Sequence, residues 1–250
     1  MREGLIEYAL RLGDDSLVLG QRLSEWCGHA PMLEIDLSLA NVALDLVGQA
    51  THFLKLAGET ESAGRDADAL AFRRDVLDFR NCLLVEQPNG DFAQTMARQF
   101  LFSNWQELLF RELTHSQNPV IAAVAAKAVK EVAYHCRLAN EWMVRLGDGT
   151  ADSHVRVVEG LEWMWRFVDE LFVTDSEIER LIEAGIAADP RGLRPEWDLR
   201  IYQVLASATL DRPKPRRAVM GGRRGHHTEH LGHLLSGMQF LPRAYPGAIW

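Results

Sequence analysis

The sequence predicts an all-α helix bundle with additional helices, forming one domain over residues 1–250. Apolar residues recur at helical spacing along most of the chain, and no stretch alternates apolar and polar residues as strands do. Three predicted helices, at 31–57, 91–115 and 119–147, would each be on the order of 40 Å long, which suits a bundle better than packed short rods. The composition, 47% hydrophobic and 25% charged, is typical of a globular chain.

Capping residues, glycines and prolines predict where the helices begin and end. Asp91 and Asn118 are favourable N-caps, and the Thr174–Glu177 capping box predicts a further helix start. Pro195 predicts the start of the next helix, and the basic, proline- and glycine-rich stretch 211–225 predicts a loop before the last one. The predicted helices are 3–28, 31–57, 67–79, 91–115, 119–147, 153–173, 174–185, 195–213 and 226–244.

Charge and cysteine content exclude several classes of function. The formal net charge of -8 would repel a phosphate backbone, so no nucleic-acid partner is expected. The apolar run 119–126 is far shorter than a membrane span, and acidic residues interrupt the N-terminal stretch where a signal peptide needs an apolar core. Three separated cysteines without a C-x-x-C pair predict reduced thiols in the cytoplasm.

The helix at 31–57 carries a line of polar side chains within an apolar sequence. Its apolar residues, from Leu33 to Leu54, predict a central and buried helix. Polar residues nevertheless recur at steps of three and four and therefore share one face: Glu34, Ser38, Asn41, Asp45, Gln49 and His52. Because buried polar groups need partners, we expect them on the helix at 119–147, which offers Lys127, Lys130, Glu131, Tyr134 and His135.

These polar residues fit two interpretations. One is a di-metal carboxylate site of ferritin-like bundles, which needs a Glu from each of two helices and Glu-x-x-His from each of the other two. The other is a hydrogen-bonded network without metal. The spacing favours the network, because Val132 lies three residues before His135 and the nearest carboxylate is Glu131. The complete motif Glu112–His115 lies at a predicted helix end, away from a bundle centre.

Histidines and arginines crowd the C-terminal region. The last predicted helix opens with His226, His227, Glu229, His230 and His233. A zinc or iron site is one interpretation, but H-E-x-x-H is absent and nearby arginines oppose a cation, so polar packing is favoured. The basic loop before this helix can contact an acidic partner or an anionic ligand. The candidate interface or anion contacts are Arg216, Arg217, Arg223, Arg224, His227, Glu229 and His230.

Several longer segments, in order along nearly the whole chain, resemble a known family. They are Y-A-L-R-L-G-D-D at 8–15, E-W-C-G-H-A-P at 25–31, L-E-I-D-L-S-L-A-N-V-A-L-D-L-V-G-Q-A at 33–50, L-L-V-E-Q-P-N-G at 83–90, K-E-V-A-Y-H at 130–135 and H-T-E-H-L-G at 227–232. Together they are similar to the C subunits of bacterial phenylacetyl-CoA epoxidases, the ring 1,2-monooxygenases of phenylacetate degradation.

The resemblance implies a ferritin-like fold within a multicomponent cytoplasmic enzyme that epoxidises the aromatic ring of phenylacetyl-CoA with O2 and NADPH. It implies that the related catalytic subunit holds the di-iron centre, that a reductase carries flavin and iron–sulfur groups, and that the full assembly includes a small subunit. This chain is then a non-catalytic structural partner of the catalytic subunit, without activity in isolation and without catalytic, cofactor or metal residues. Its polar line becomes a relic core, comprising Glu34, Asn41, Asp45, Gln49, His52, Glu131 and His135.

Two alternative functions make different expectations. A self-sufficient di-iron oxidase would bind iron, with ligands drawn from Glu34, Asp45, Glu131, His135, Glu229 and His230. A helical adaptor would bind a CoA-type anion through the loop from Arg212 to Arg224, outside any oxygenase. Purification together with a second ferritin-like chain would count against the adaptor.

Overall fold

The computed structural model describes residues 1–214 and 217–248, which contain eleven α-helices, three short 3-10 turns and no strand. The all-α prediction is therefore confirmed. Within the same residues, no helix combines the length and apolar character that a membrane span requires. The helices are α1 (Arg2–Ser24), α2 (Leu33–Glu61), α3 (Ala67–Phe72), α4 (Leu83–Glu86), α5 (Phe92–Leu113), α6 (Pro119–Gly147), α7 (Ala151–Trp165), α8 (Ser176–Glu183), α9 (Pro190–Ser207), α10 (Glu229–Met238) and α11 (Phe240–Ala244).

The helices fall into two compact units. The first contains Met1–Gln87 and the chain from Met220 onward, and the second contains Pro88–Val219. The single domain over residues 1–250 stays a prediction.

The first unit is built on the antiparallel pair α1 and α2. The side chain of Arg2, at the start of α1, donates hydrogen bonds to the carbonyls of Thr60 and Glu61, at the end of α2, at 2.8 and 2.7 Å. Leu19 and Leu46 are fully buried within this unit. α1 and α2 bury apolar side chains against each other, and this burial is the main stabilisation of the pair. The shorter helices α3, α4, α10 and α11 complete the unit.

The second unit is organised around α5, which packs on α6, α7 and α9. Trp197 of α9 is fully buried and donates its indole N–H to the carbonyl of Leu101 at 3.1 Å. The rings of Phe172 and Trp165 lie 5.3 and 5.8 Å from the Trp197 ring. Because a buried indole needs a partner for its N–H, this hydrogen bond fixes α9 on α5 at one register.

Two of the predicted helix starts are confirmed by their capping bonds. The Asp91 side chain accepts from the backbone N–H of Gln94 at 2.9 Å, and the Asn118 side chain accepts from that of Ile121 at 3.1 Å. Each bond satisfies a helix N–H that has no partner within the helix. The strongest local signals in the sequence therefore predict α5 and α6 to within two residues at each end.

Other boundaries differ from the prediction where a second signal was stronger. α8 is capped by Asp175, which accepts from the N–H of Ile178 at 3.1 Å, and not by a Thr174–Glu177 box. α9 begins at Pro190 behind an Asp189 cap, so Pro195 lies inside the helix and not at its start. Asp followed by Pro combines a good cap with a good first residue, which outweighs the later proline.

Three of the other predicted helices are shorter in the structure: 3–28 ends at Ser24, 67–79 ends at Phe72, and 153–173 ends at Trp165 before a 3-10 turn. The predicted helix 31–57 is shifted and slightly longer, since α2 runs from Leu33 to Glu61. The predicted helix 226–244 is wrong as a single element, since α10 begins at Glu229 and α11 follows after Gln239. Its first residues are held instead by tertiary bonds to α4, described below.

Gly160 of α7 marks the closest approach of α7 to α5. A Cβ at this position would lie 2.8 Å from the Cα of Gln94 and 3.1 Å from its N, both backbone atoms. We predict that Gly160→Ala lowers the free energy of unfolding by about 1–3 kcal/mol, because the two helices must separate. Urea unfolding measures this change.

Gly48 of α2 provides the matched control, since a Cβ there meets nothing within 4 Å. Gly48→Ala should raise stability by about 0.5–1 kcal/mol through helix propensity alone. Equal effects of the two substitutions would contradict the close packing of α7 on α5.

Candidate functional site

The polar line of α2 is mostly not buried. Of its six residues only Gln49 is buried, with 3% of its surface exposed. The others are exposed or half-exposed: Glu34, Ser38, Asn41, Asp45 and His52. The prediction of an inward-facing polar line is therefore wrong for Glu34, Asn41 and His52, because that side of α2 faces away from α1.

The same side of α2 also exposes leucines. Leu33, Leu37 and Leu44 are 70%, 57% and 70% exposed, which corrects the expectation of a helix buried all round. At 100° per residue these three positions fall within one narrow arc of the helix, beside Asn41. We call this group of Leu33, Leu37 and Leu44 the α2 apolar face.

In the second unit, buried polar side chains lie on α5, a helix for which the sequence predicts no polar line. Its buried polar residues are Thr95, Arg98, Gln99, Ser103, Asn104 and Gln106. Asn104 donates to the Asn140 side chain of α6 at 2.8 Å, and the Cys136 thiol donates to the carbonyl of Ser103 at 3.0 Å. Burial raises the pKa of Cys136 to about 12, so this thiol stays protonated. The sequence signal that could have indicated these buried polar residues is the group of amide side chains at Gln99, Asn104 and Gln106.

The donors on α5 and α6 do not fit a di-metal carboxylate centre. The buried polar groups of α5 are amides, hydroxyls and one guanidinium, which cannot supply the negative charge that two metal ions require. On α6, His135 is fully buried, but Val132 three residues earlier is fully buried as well. Glu131 is half-buried and pairs with Lys127 at 3.4 Å. Across residues 1–214 and 217–248, no three His, Cys, Asp or Glu side chains are grouped to hold a metal ion.

A buried carboxylate in the first unit joins α4 to the C-terminal segment. Glu86 of α4 is fully buried and accepts hydrogen bonds from His227 Nδ1 at 2.7 Å and from Asn81 Nδ2 at 2.8 Å. The backbone N–H and the hydroxyl of Thr228 donate to the same carboxylate at 2.7 and 2.8 Å. Arg22 of α1 donates to the Glu86 carbonyl at 2.8 Å and to the His230 carbonyl at 2.9 Å. These hydrogen bonds to Glu86 hold His227 and Thr228 in place outside the helix, and α10 therefore begins only at Glu229.

The hydrogen-bond partners of His227 favour its charged form. Its Nε2 lies 3.0 Å from the carbonyl oxygen of Phe79, which can only accept, while its Nδ1 faces the Glu86 carboxylate. Both ring nitrogens therefore donate, as they do in an imidazolium. Burial acts to lower the pKa of His227, but the hydrogen bond and charge of Glu86 and the Phe79 carbonyl outweigh it, so the pKa is raised.

Two neighbouring aspartates hold further arginines. Arg74 forms a buried, two-pronged ion pair with Asp14. Asp15 accepts from the backbone N–H of Cys82 at 2.7 Å and from Arg223 Nη2 at 2.7 Å. Burial raises the pKa of Asp15, and the charge and hydrogen bond of Arg223 oppose that rise. Arg223 thus fastens the C-terminal segment to α1.

The predicted contact residues of the C-terminal region therefore divide into two groups. His227 and Arg223 are engaged within the chain, and this corrects the expectation that they face a partner or an anion. Arg217, Arg224 and Glu229 are exposed, and His230 is half-buried. Arg216 lies outside the described residues.

The described helices place this chain among the all-α proteins, and the buried polar side chains of α5 are amides, hydroxyls and one guanidinium. The sequence matches the Phenylacetic acid catabolic protein family over residues 1–250, and the chain belongs to that family, which has a ferritin-like helical fold. It is 50% identical over 246 residues to the C subunit of the 1,2-phenylacetyl-CoA epoxidase of Escherichia coli (strain K12), covering 98% of this chain and 99% of the relative. These matches confirm the family inferred from the sequence segments.

The raised pKa of His227 makes the stability of this chain depend on pH. A raised pKa means that the folded chain keeps a proton that the unfolded chain releases above about pH 6.5. We predict that stability falls as pH rises from that value through the raised folded pKa, by at most about 1.4 kcal/mol per pH unit. His227→Gln should lack this component of the decline in urea unfolding.

His226→Gln is the control, because His226 is the exposed neighbour of His227. It should keep the pH dependence of the wild-type chain. If His227→Gln also kept that dependence, the imidazolium bonded to Glu86 would not be its source.

Proposed function

We propose that this chain is the supporting C subunit of a phenylacetyl-CoA epoxidase of aerobic phenylacetate catabolism, and that it pairs with a di-iron catalytic subunit. The observation that carries the proposal is the 50% identity to the C subunit of such an epoxidase over nearly the full length of both chains. The name of that relative implies other subunits in the same enzyme. Membership in this family and the match over nearly the full length of that subunit support a role as one subunit of such an enzyme, in the cytoplasm.

The chemistry of α5 and α6 supports a non-catalytic role for this chain. A ferritin-like oxidase needs carboxylates from its helices to balance the charge of two metal ions. Here Val132 fills the position of the motif carboxylate, and Gln99 and Asn104 present neutral amides to the interior. In this proposal the partner's di-iron centre supplies oxygen activation. The NADPH-dependent enzyme also contains a reductase with flavin and iron–sulfur groups, and a small subunit.

The contribution of this chain is then mechanical. Its first unit is cross-braced by buried charged groups, including the Glu86–His227 and Asp14–Arg74 pairs. A braced helical surface can hold a neighbouring subunit in one conformation, which keeps that subunit's reacting groups in position. In this proposal no residue of this chain transfers a proton or an electron, and none contacts the substrate.

Neither alternative function gains support from a specific observation. The oxidase alternative used Glu34 and Asp45, which are not buried, together with Glu229, which is exposed. The anion-binding adaptor used the loop from Arg212 to Arg224, but Arg212 pairs with Asp198 at 2.8 Å and Arg223 pairs with Asp15. Cations that already have partners are less suited to binding the phosphates of a CoA-type ligand.

Reconstitution tests the proposed function. The catalytic subunit, the small subunit, the reductase and this chain are purified separately and combined, and phenylacetyl-CoA epoxide is measured with NADPH and O2. We expect product only in mixtures that contain both this chain and the catalytic subunit. Product formed by this chain with the reductase alone would favour the self-sufficient oxidase. Full product without this chain would contradict the supporting role.

A further inference from the structure

We propose that the α2 apolar face is the surface on which a helix of the catalytic subunit docks, through apolar residues flanked by basic side chains. This inference rests on the proposed function and names the contact surface within it. The face consists of Leu33, Leu37 and Leu44 on the outer side of α2.

The geometry of the α2 apolar face suits another helix. Three leucines at least 57% exposed follow one side of a 29-residue helix. Single exposed leucines are common on protein surfaces, but an aligned series on a long rigid element is typical of a contact surface. Gly48 continues the line one turn beyond Leu44, and a Cβ there would meet nothing within 4 Å. A partner backbone can therefore approach α2 closely at Gly48, as helices do where small residues line their contact.

Phe240, Leu241 and Tyr245 are 65%, 49% and 59% exposed, but they lie on or directly after the five-residue α11, which is too short to present rows of side chains to a partner helix. Two other exposed apolar groups are smaller. Leu77 is 71% exposed but lies on a three-residue 3-10 turn. Leu199 and Tyr202 of α9 are 56% and 65% exposed, and they make a single pair one turn apart. Neither group provides the rows of side chains that interlock when two helices pack.

The charges along α2 indicate the chemistry of the partner. Residues 33–54 contain Glu34, Asp36 and Asp45 and no Lys or Arg. Lys55 follows this segment and lies 3.8 Å from Glu59, with which it pairs. The charged side chains of residues 33–54 are therefore all acidic. Opposite charges across an interface steer association and fix its register, while like charges oppose it. The surface thus favours a partner helix with flanking Lys or Arg side chains.

The same charges disfavour a second copy of this chain as the occupant. In a symmetric dimer both copies contribute the same surface to the contact. The acidic segment 33–54 of one α2 would therefore face the same acidic segment of the other. The formal net charge of -8 on each chain adds to this repulsion. The occupant we infer is therefore a different subunit.

Charged substitutions on the α2 apolar face test the inference. The dissociation constant between this chain and the catalytic subunit is measured by isothermal titration calorimetry for Leu37→Glu, for Leu44→Glu and for the wild-type chain. We expect each substitution to weaken binding by about 10- to 100-fold, since it places a desolvated charge in the contact. Thermal unfolding of the variants should match the wild type, because both side chains are exposed; Leu44→Ala provides a milder variant if it does not.

Leu199→Glu is the matched control. Leu199 of α9 is 56% exposed, close to the 57% of Leu37, and we expect its substitution to leave binding unchanged. Glu34→Lys should weaken binding several-fold at low salt, and the difference should shrink at high salt, because it reverses a charge that favours the partner.

Each outcome decides between distinct possibilities. Wild-type binding that survives Leu37→Glu and Leu44→Glu would overturn the docking surface and leave the proposed function standing. No binding of the wild-type chain to the catalytic subunit would overturn both. A dimer of this chain alone, in sedimentation velocity, that Leu37→Glu dissociates would assign the surface to a second copy and overturn the inferred partner.

Discussion

The first unit depends on the hydrogen bonds that the buried carboxylate of Glu86 accepts. It lies in a four-residue helix that is too short to be stable alone, and it receives hydrogen bonds from Asn81, His227 and Thr228. Arg22 binds the backbone of the same residue from α1. Removing one member of a buried charged pair commonly costs about 3–5 kcal/mol, because the other charge stays desolvated. One side chain therefore fastens α1, α4 and the C-terminal segment together.

Local signals predicted the long helices well, and long-range pairing set the rest. Asp91 and Asn118 predicted α5 and α6 because a cap needs only residues three positions away. The start of α10 depends on Glu86, which is 141 residues from His227 in sequence, so no local pattern could place it. Spacing also showed that the polar residues of α2 share a side, but which side of a helix is buried depends on its neighbours.

The sequence predicts the candidate site less well than the long helices. The absence of a mid-helix Glu-x-x-His predicts a chain without a carboxylate metal site, and this stays a prediction. The structure adds that Val132 is buried and that the buried polar side chains of α5 are amides, hydroxyls and one guanidinium. The sequence did not predict that Gln99 and Asn104 of α5 are buried. The apolar residues around them do not form a stripe on one side of the helix, so the spacing does not indicate which side is buried. The histidines and arginines of the C-terminal region looked like contact residues, although His227 and Arg223 serve to hold the fold.

If this chain supports chemistry that another subunit carries out, the chain itself should hold no metal, and its iron content tests this. The chain is produced alone with iron supplementation, purified without chelators and analysed for iron by elemental analysis. We expect no iron above background, because the buried polar side chains of α5 include neutral amides where two metal ions need carboxylates. About two irons per chain, the complement of a di-iron centre, would contradict this expectation and make Glu131 and His135 ligand candidates.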